Sequence, residues 1–314
     1  MKTTIQKQVS LASRNWFKTG GKAAYFAEPT SKAALAEVLK FAAAKKLPIA
    51  LLGEGANTLI SDEGFKGMVI SPKNTGIKIL SEKKAPIVRA GAGAAVDDVV
   101  NFALKHKAKG LEEFSALPGT IGGAAFINAH YFEYFLADFL VSATVCDYQG
   151  NFQTVDSAWF EYGYDVSKLH RENWIIWTVD LKLSKASEIE TAFAQGRAFE
   201  IKRQRSRRYP QERTCGSFFR NFLPEEVPEG ASKSIAFYLD RLGVKGNLSI
   251  GGASVSRKHA NMLETKKGAK ARDIIALARL LQEMVFENFG LVPVPECRFL
   301  GFKKFPLHTA KTLR

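Results

Sequence analysis

Hydrophobic positions recur along this chain at two spacings, and the switches between them mark out its elements. Leu35, Val38, Leu39 and Ala42 repeat at helical intervals; Thr30 or Ser31 can cap the start, and Lys45-Lys46 sit where cations favour a helix C-terminus. The pattern predicts a surface helix packed on a sheet. Pro48-Ile49-Ala50-Leu51-Leu52 is a short apolar run fit for a buried strand, and Met68-Val69-Ile70 and Ile87-Val88-Arg89-Ala90 read as two more. A helix from about Asp97 to His106 opens on two acids, closes on Lys105-His106-Lys107 and stops before Gly110. Val141 to Asp147 and Phe152 to Val155 flank Tyr148-Gln149-Gly150-Asn151 as a hairpin, and Ile175 to Leu181 alternates as a later strand. A helix from about Ser187 to Arg208 ends at Pro210, where the composition changes and a domain boundary is expected. The last long element, about Ala271 to Phe289, turns Ile274, Leu277, Leu281 and Val285 inward and stops at Gly290.

At 314 residues the chain has room for two or three domains, and 46% hydrophobic with 24% charged residues is the composition of a soluble globular protein. Met1-Lys2-Thr3-Thr4-Ile5-Gln6-Lys7 holds no apolar signal core, and no run of about 18 apolar residues could span a bilayer, so a cytoplasmic protein without a membrane partner is expected. Cys146, Cys215 and Cys297 cannot all pair and show no CxxC spacing; His106, His130, His170, His259 and His308 show no ligand spacing. Neither a disulfide framework nor a metal site is expected. The net charge of +14 has the sign that attracts nucleic acid, anionic lipid or phosphorylated small molecules. Its densest block, Lys202-Arg203-Gln204-Arg205-Ser206-Arg207-Arg208 with Arg213 beyond, reads as a solvated helix end, an anion site or a nucleic-acid patch, and no nucleic-acid fold signature accompanies it.

Three stretches carry candidate chemistry. Thr214-Cys215-Gly216-Ser217-Phe218-Phe219-Arg220-Asn221 sets a hydroxyl beside glycine, walls it with two aromatics and follows it with a cation and an amide. Ser217 is the candidate reactive group; the plain alternative is a Gly-Ser turn leading into a Phe-rich strand. Gly53-Glu54-Gly55-Ala56-Asn57-Thr58 follows a strand, where backbone N–H groups commonly hold phosphates. It is not the dinucleotide fingerprint, because Thr58 stands at the third glycine position, and a Rossmann domain is disfavoured. A second Gly-rich segment, Ala116 to Ala124 running on to Asn128, predicts a backbone pressed against something flat or charged. Two such loops in one half of the chain favour an extended nucleotide cofactor.

The order and spacing of these stretches, together with Pro295-Glu296-Cys297-Arg298, resemble the UDP-N-acetylenolpyruvoylglucosamine reductases, the MurB family of peptidoglycan synthesis, over roughly residues 10–301. The compact spacing is similar to the shorter, type II branch. The resemblance implies an α+β fold. Residues 1–210 would form a FAD-binding module of the vanillyl-alcohol-oxidase type, with lobes near 1–85 and 86–210; 211–301 would form an α+β substrate domain and 302–314 a basic tail. It implies an oxidoreductase in which NADPH reduces noncovalent FAD and the flavin reduces the enolpyruvyl group of a UDP-sugar, with a monomer acting on a small molecule and no nucleic acid. Ser217 matches the proton donor and Glu296 its acidic partner. Tyr164, Arg220 and Asn221 would contact substrate. Gly53-Glu54-Gly55-Ala56-Asn57-Thr58, Pro118-Gly119-Thr120, Gly122-Gly123, Asn128 and Arg298 would hold FAD. His259, in a His-x-Asn motif, would be structural.

The chain departs from the family pattern in three places. Tyr164-Asp165-Val166-Ser167 puts an aspartate where the family carries an arginine, a cation suited to stabilising a developing enolate. Lys168 or Arg171 would then supply the charge from close by. Phe222 replaces a proline, and His130-Tyr131 replace small residues. Two further readings accompany these departures: a diverged flavoprotein acting on another substrate, and a non-catalytic basic nucleic-acid-binding or scaffold protein.

Overall fold

The computed structural model describes residues 4–82 and 85–313; the first three residues of the N-terminal stretch read for a signal, and the last of the tail, lie outside them. The helices and strands form two compact units. The first comprises residues 4–7, Tyr25–Glu54 and Gly67–Arg205, the second Gln8–Ala24, Gly55–Lys66 and the chain from Ser206 onward. The expected division at residue 210 lies close to the last of these crossings, but the N-terminal stretch is not one block: residues 8–24 and 55–66 belong with the C-terminal part. Among the described residues no helix is long and apolar enough to cross a membrane.

In the first unit, α1 (Lys32–Ala44) is capped as expected, Ser31 Oγ accepting from Ala34 N at 3.2 Å. It buries Leu35, Val38, Leu39 and Ala42 against Met68 and Ile70 of the strand Phe65–Ile70, which runs parallel to Ile49–Leu51. That second strand forms where expected but at the edge of its sheet, so Leu51 is 37% exposed rather than buried. A five-stranded antiparallel sheet follows, in the order Phe152–Asp156, Leu140–Asp147, Trp174–Lys182, Ile87–Gly91, Ile77–Ser81. Its register stacks Val155, Ala143, Val179 and Ala90 across four strands, an inward apolar row. On it pack α2 (Val96–Lys105), α3 (Ile121–Ile127) and α4 (Glu188–Arg208) through Val99, Val100, Ala125, Ala194 and Ala198. The second Gly-rich segment is therefore partly helical, which its glycine content hid.

The second unit is built on α6 (Ala271–Phe289), which has the bounds and inward face its pattern predicts, and α5 (Ile235–Arg241). Both pack on a core that includes Phe218, Phe219 and Leu263, together with Phe17 and Leu59 from the two N-terminal segments. Three further ties explain why those segments belong here. Thr58–Ile60 pairs in parallel with Arg298–Leu300, Thr265 donates its hydroxyl to the Phe17 carbonyl at 2.6 Å, and the Asp62 carboxylate accepts from Ala271 N and Arg272 N at 2.8 and 3.1 Å, capping α6. Most of the expected basic tail is also part of this unit. Leu307 is buried, and the fully buried Gln282 donates to the Pro293 and His308 carbonyls and accepts from His308 N.

Candidate active site

Within the first unit, Gly53, which opens the first Gly-rich loop, meets the second loop. Gly53 is pressed on Thr120 so closely that a Cβ there would lie 2.6 Å from Thr120 Oγ1. The same oxygen caps α3 by accepting from Gly123 N at 3.2 Å. Gly119, at φ +110°, holds a conformation that side chains rarely allow. Gly122 faces inward, its missing Cβ taken up by Ala92 at 2.7 Å, so internal packing rather than a ligand demands glycine at that position. Gly123 differs: it is exposed, and a Cβ built on it would meet only Thr120 Oγ1, at 3.4 Å. Its N–H is spent on the Thr120 hydroxyl, so Gly123 offers a ligand open surface rather than a free donor.

Asn128 ends α3 in the left-handed region and spends both side-chain groups inside the unit, accepting from Ala137 N and donating to the Gly163 carbonyl, each at 3.1 Å. It holds the turn Gly163-Tyr164-Asp165-Val166, which closes through Gly163 N to Val166 O at 3.0 Å. Tyr162 and Ser167, on either side, donate their hydroxyls to the Ala125 and Phe126 carbonyls at 2.8 and 2.6 Å. The turn thus hangs from α3, with Tyr164 37% exposed and Asp165 at φ +56°.

Neither cation expected to compensate for Asp165 is directed to that task. The Lys168 ammonium lies 3.8 Å from Glu161 and 3.6 Å from Glu172, above the Trp159 ring, and Arg171 bonds Glu161. The group that meets Asp165 is His130, its Nδ1 3.4 Å from Asp165 Oδ1.

In the second unit the Ser217 stretch lies extended between two others. On one side Ser217 bridges Met262, Phe218 N donates to the Asn261 carbonyl at 2.8 Å, and Asn261 Oδ1 and Nδ2 bond Phe219 N and O at 3.1 and 2.7 Å. On the other side Phe219 bridges Pro295 and Glu296 N donates to the Phe218 carbonyl at 2.9 Å. Ser217 and Glu296, 79 positions apart by their numbers, are therefore set on hydrogen-bonded neighbouring segments, both partly exposed. Asn57 fixes the second segment from beyond, its Nδ2 reaching the Glu296 carbonyl at 3.4 Å and its own carbonyl accepting from Arg298 N at 3.0 Å. Asn57 Oδ1 is buried without a partner, an acceptor that a ligand hydroxyl or N–H would satisfy.

Arg220 grips Glu226 through two bonds of 2.7 and 2.6 Å and also donates to the Asn221 carbonyl, which holds that carboxyl below its ordinary range. Asn221 itself is exposed. His259 accepts from Asn261 N at 3.2 Å through Nδ1, and burial pushes its pKa down, as suits the structural role expected of it. Cys215 and Cys297 are buried, and burial raises the Cys215 thiol well above its usual range. Asn261 escaped sequence reasoning as a positioning residue; the His-x-Asn motif was the available signal.

Residues 208–300 match the family model for the UDP-N-acetylenolpyruvoylglucosamine reductase C-terminal domain, and residues 23–156 match that of a FAD binding domain. Proteins named UDP-N-acetylenolpyruvoylglucosamine reductase from Synechococcus sp. (strain JA-3-3Ab) and Gloeobacter violaceus are 33% and 32% identical to this chain over 304 residues. Each match spans 96% of the chain, and 93% and 98% of those proteins. The crystal structure of the MurB enzyme of Thermus caldophilus superposes with a TM-score of 0.76 at 25% identity, over 96% of this chain and 99% of that one. Spanned almost end to end by such relatives, and matched in both of its parts, the chain belongs to the UDP-N-acetylenolpyruvoylglucosamine reductase family.

Proposed function

We propose that this chain uses FAD and NADPH to reduce UDP-N-acetylglucosamine enolpyruvate to UDP-N-acetylmuramate, in the cytoplasm. The observation that carries the reading is the pairing of the Ser217 and Glu296 segments through Glu296 N and the Phe218 carbonyl, in a chain that also matches a FAD binding domain. When bound, FAD relays hydride from NADPH to the enolpyruvyl double bond. The buried Asn57 Oδ1, an acceptor without a partner, fits a donor of a flavin dinucleotide.

Hydride delivery to an enolpyruvyl group leaves carbanionic charge on the carbon beside the carboxylate, and such a carbon is basic enough to take a proton from a serine hydroxyl. Ser217 supplies that proton and Glu296, on the adjoining segment, orients the intermediate or serves as the second acid. Phe218 and Phe219, both buried behind the serine, keep water from the wall it stands on. Asn261 fixes the backbone of that wall. Arg220, anchored by Glu226, sets the course of the chain that presents Asn221 to the sugar nucleotide. The reading requires one copy of the chain and no metal.

The test is anaerobic. Purified protein should be reduced by NADPH, losing its flavin absorbance, and should regain it on addition of UDP-N-acetylglucosamine enolpyruvate. A flavin that NADPH reduces but the UDP-sugar leaves reduced would assign the chain to a different substrate.

A further inference from the structure

The peptide of Glu296 is held from two sides, and both of its partners lie with it in the second unit. Its N–H donates to the Phe218 carbonyl at 2.9 Å, which ties it to the segment that carries Ser217. Its carbonyl accepts from Asn57 Nδ2 at 3.4 Å, across 239 positions of the chain. Asn57 also reaches past Cys297, its own carbonyl accepting from Arg298 N at 3.0 Å. These two bonds extend the ladder in which Thr58–Ile60 runs parallel to Arg298–Leu300. The place of the acid along the serine segment is therefore set in part by Asn57.

The side chain of Asn57 is only half engaged. Its bond to Glu296 is longer than the usual range of about 2.7 to 3.2 Å for an N–H donor. Oδ1, the other half of the same amide, is buried with no partner, although nearly all buried acceptors are paired. The terminal torsion of an asparagine is broad, so an amide held at one atom by one long bond can turn. Oδ1 and Nδ2 share a rigid plane, and a donor on the first fixes the direction of the second. Asn57 thus carries an acceptor that fits a donor of a flavin dinucleotide and, on the same plane, a donor that holds the catalytic acid's segment.

We propose that Asn57 is a positioning residue that couples cofactor binding to Glu296. With Oδ1 bonded, the amide is fixed, Nδ2 draws in the Glu296 carbonyl, and the UDP-sugar meets an acid already set on the segment adjoining Ser217. The inference rests on the functional reading above. Only hydrogen bonds change in this step. Such coupling is reciprocal, so the UDP-sugar must tighten FAD by the same factor by which FAD tightens the UDP-sugar.

The experiment reads that factor without turnover. Oxidised holoenzyme is diluted, and the rise of free-FAD fluorescence gives the dissociation constant of FAD, first alone and then with saturating UDP-N-acetylglucosamine enolpyruvate. The proteins are wild type, Asn57→Asp and Asn57→Ala. Aspartate keeps an acceptor at the Oδ1 position but has no N–H for the Glu296 carbonyl; alanine lacks both. The UDP-sugar should tighten FAD about tenfold in wild type and less than about twofold in both variants, whatever their affinity for FAD alone. A residue that merely supports the fold would lower FAD affinity and leave the ratio unchanged, so an unchanged ratio in either variant overturns the inference. So does a wild-type ratio near one in protein whose reduced flavin the UDP-sugar reoxidises, a result that requires no variant to fold and leaves the functional reading standing. A wild-type reduced flavin that the UDP-sugar fails to reoxidise removes the functional reading and this inference together.

Discussion

Asn261 does for Phe219 what a neighbouring strand would do, accepting from its N–H and donating to its carbonyl with one side chain. Asn261→Ala leaves both backbone groups buried and unpaired, a cost of about 2 to 4 kcal/mol, and slackens the segment that carries Ser217. Urea denaturation should show the lost stability, and reoxidation by the UDP-sugar should slow while reduction by NADPH does not. Lys168→Ala and Arg171→Ala, by contrast, remove cations engaged by surface acids, and steady-state turnover should stay within about twofold of wild type. A large loss in either would return the missing charge to this loop. At this scale the sequence marked Ser217 and Glu296 as candidates through the local motifs that flank them. It did not give up the meeting of His130 with Asp165, which depends on a turn suspended from a helix 35 residues away in the chain.

Among the elements, α6 and four of the five strands of the central sheet were legible from their apolar positions, while Ile77–Ser81, which alternates at the sheet edge, was not read. Helix α3 was not, since two glycines in seven residues weaken every propensity signal and its packing on the sheet decides the matter. The sheet holds one polar network: Asp180, 4% exposed, accepts from Arg89 at 2.6 and 2.7 Å and from the Ser142 hydroxyl at 2.7 Å, joining three adjacent strands. Asp180→Ala strands a guanidinium on a buried strand. Because Arg89 is one-third exposed, the expected cost is about 2 to 3 kcal/mol, below that of a fully buried pair. Thermal denaturation of Asp180→Ala and Asp180→Asn checks it: the amide, which still accepts from Ser142, should recover part of the loss.

For the whole molecule, the last crossing between units falls between Arg205 and Ser206, and residues 8–24 and 55–66 join the second unit through contacts at sequence separations above 200, such as Thr265 with Phe17 and Asp62 with the start of α6, which no local pattern announces. Within the densest basic block Lys202 bonds Asp97 and Arg203 bonds Glu200, acids already counted in the net charge of +14, so the pairs leave that charge undiminished. Stability should fall as pH is lowered, in two stages. His259 has a folded pKa below its ordinary 6.5, so from there downward the unfolded chain binds the proton that the folded one refuses, and stability drops. Glu226, held below its ordinary 4.5 by its bonds to Arg220, contributes stability present above that value and lost as pH falls through its folded pKa. Urea midpoints measured from pH 8 to pH 4 should trace the first stage, and His259→Gln should flatten it.

The most direct measurement follows one turnover in Ser217→Ala. The protein is reduced by one equivalent of NADPH in the absence of oxygen, then mixed with UDP-N-acetylglucosamine enolpyruvate while flavin absorbance is recorded. If the Ser217 hydroxyl supplies the proton, reduction proceeds at the wild-type rate and reoxidation slows by about 100- to 10,000-fold, the range for loss of a positioned acid. Reoxidation of the alanine variant at the wild-type rate would contradict the account.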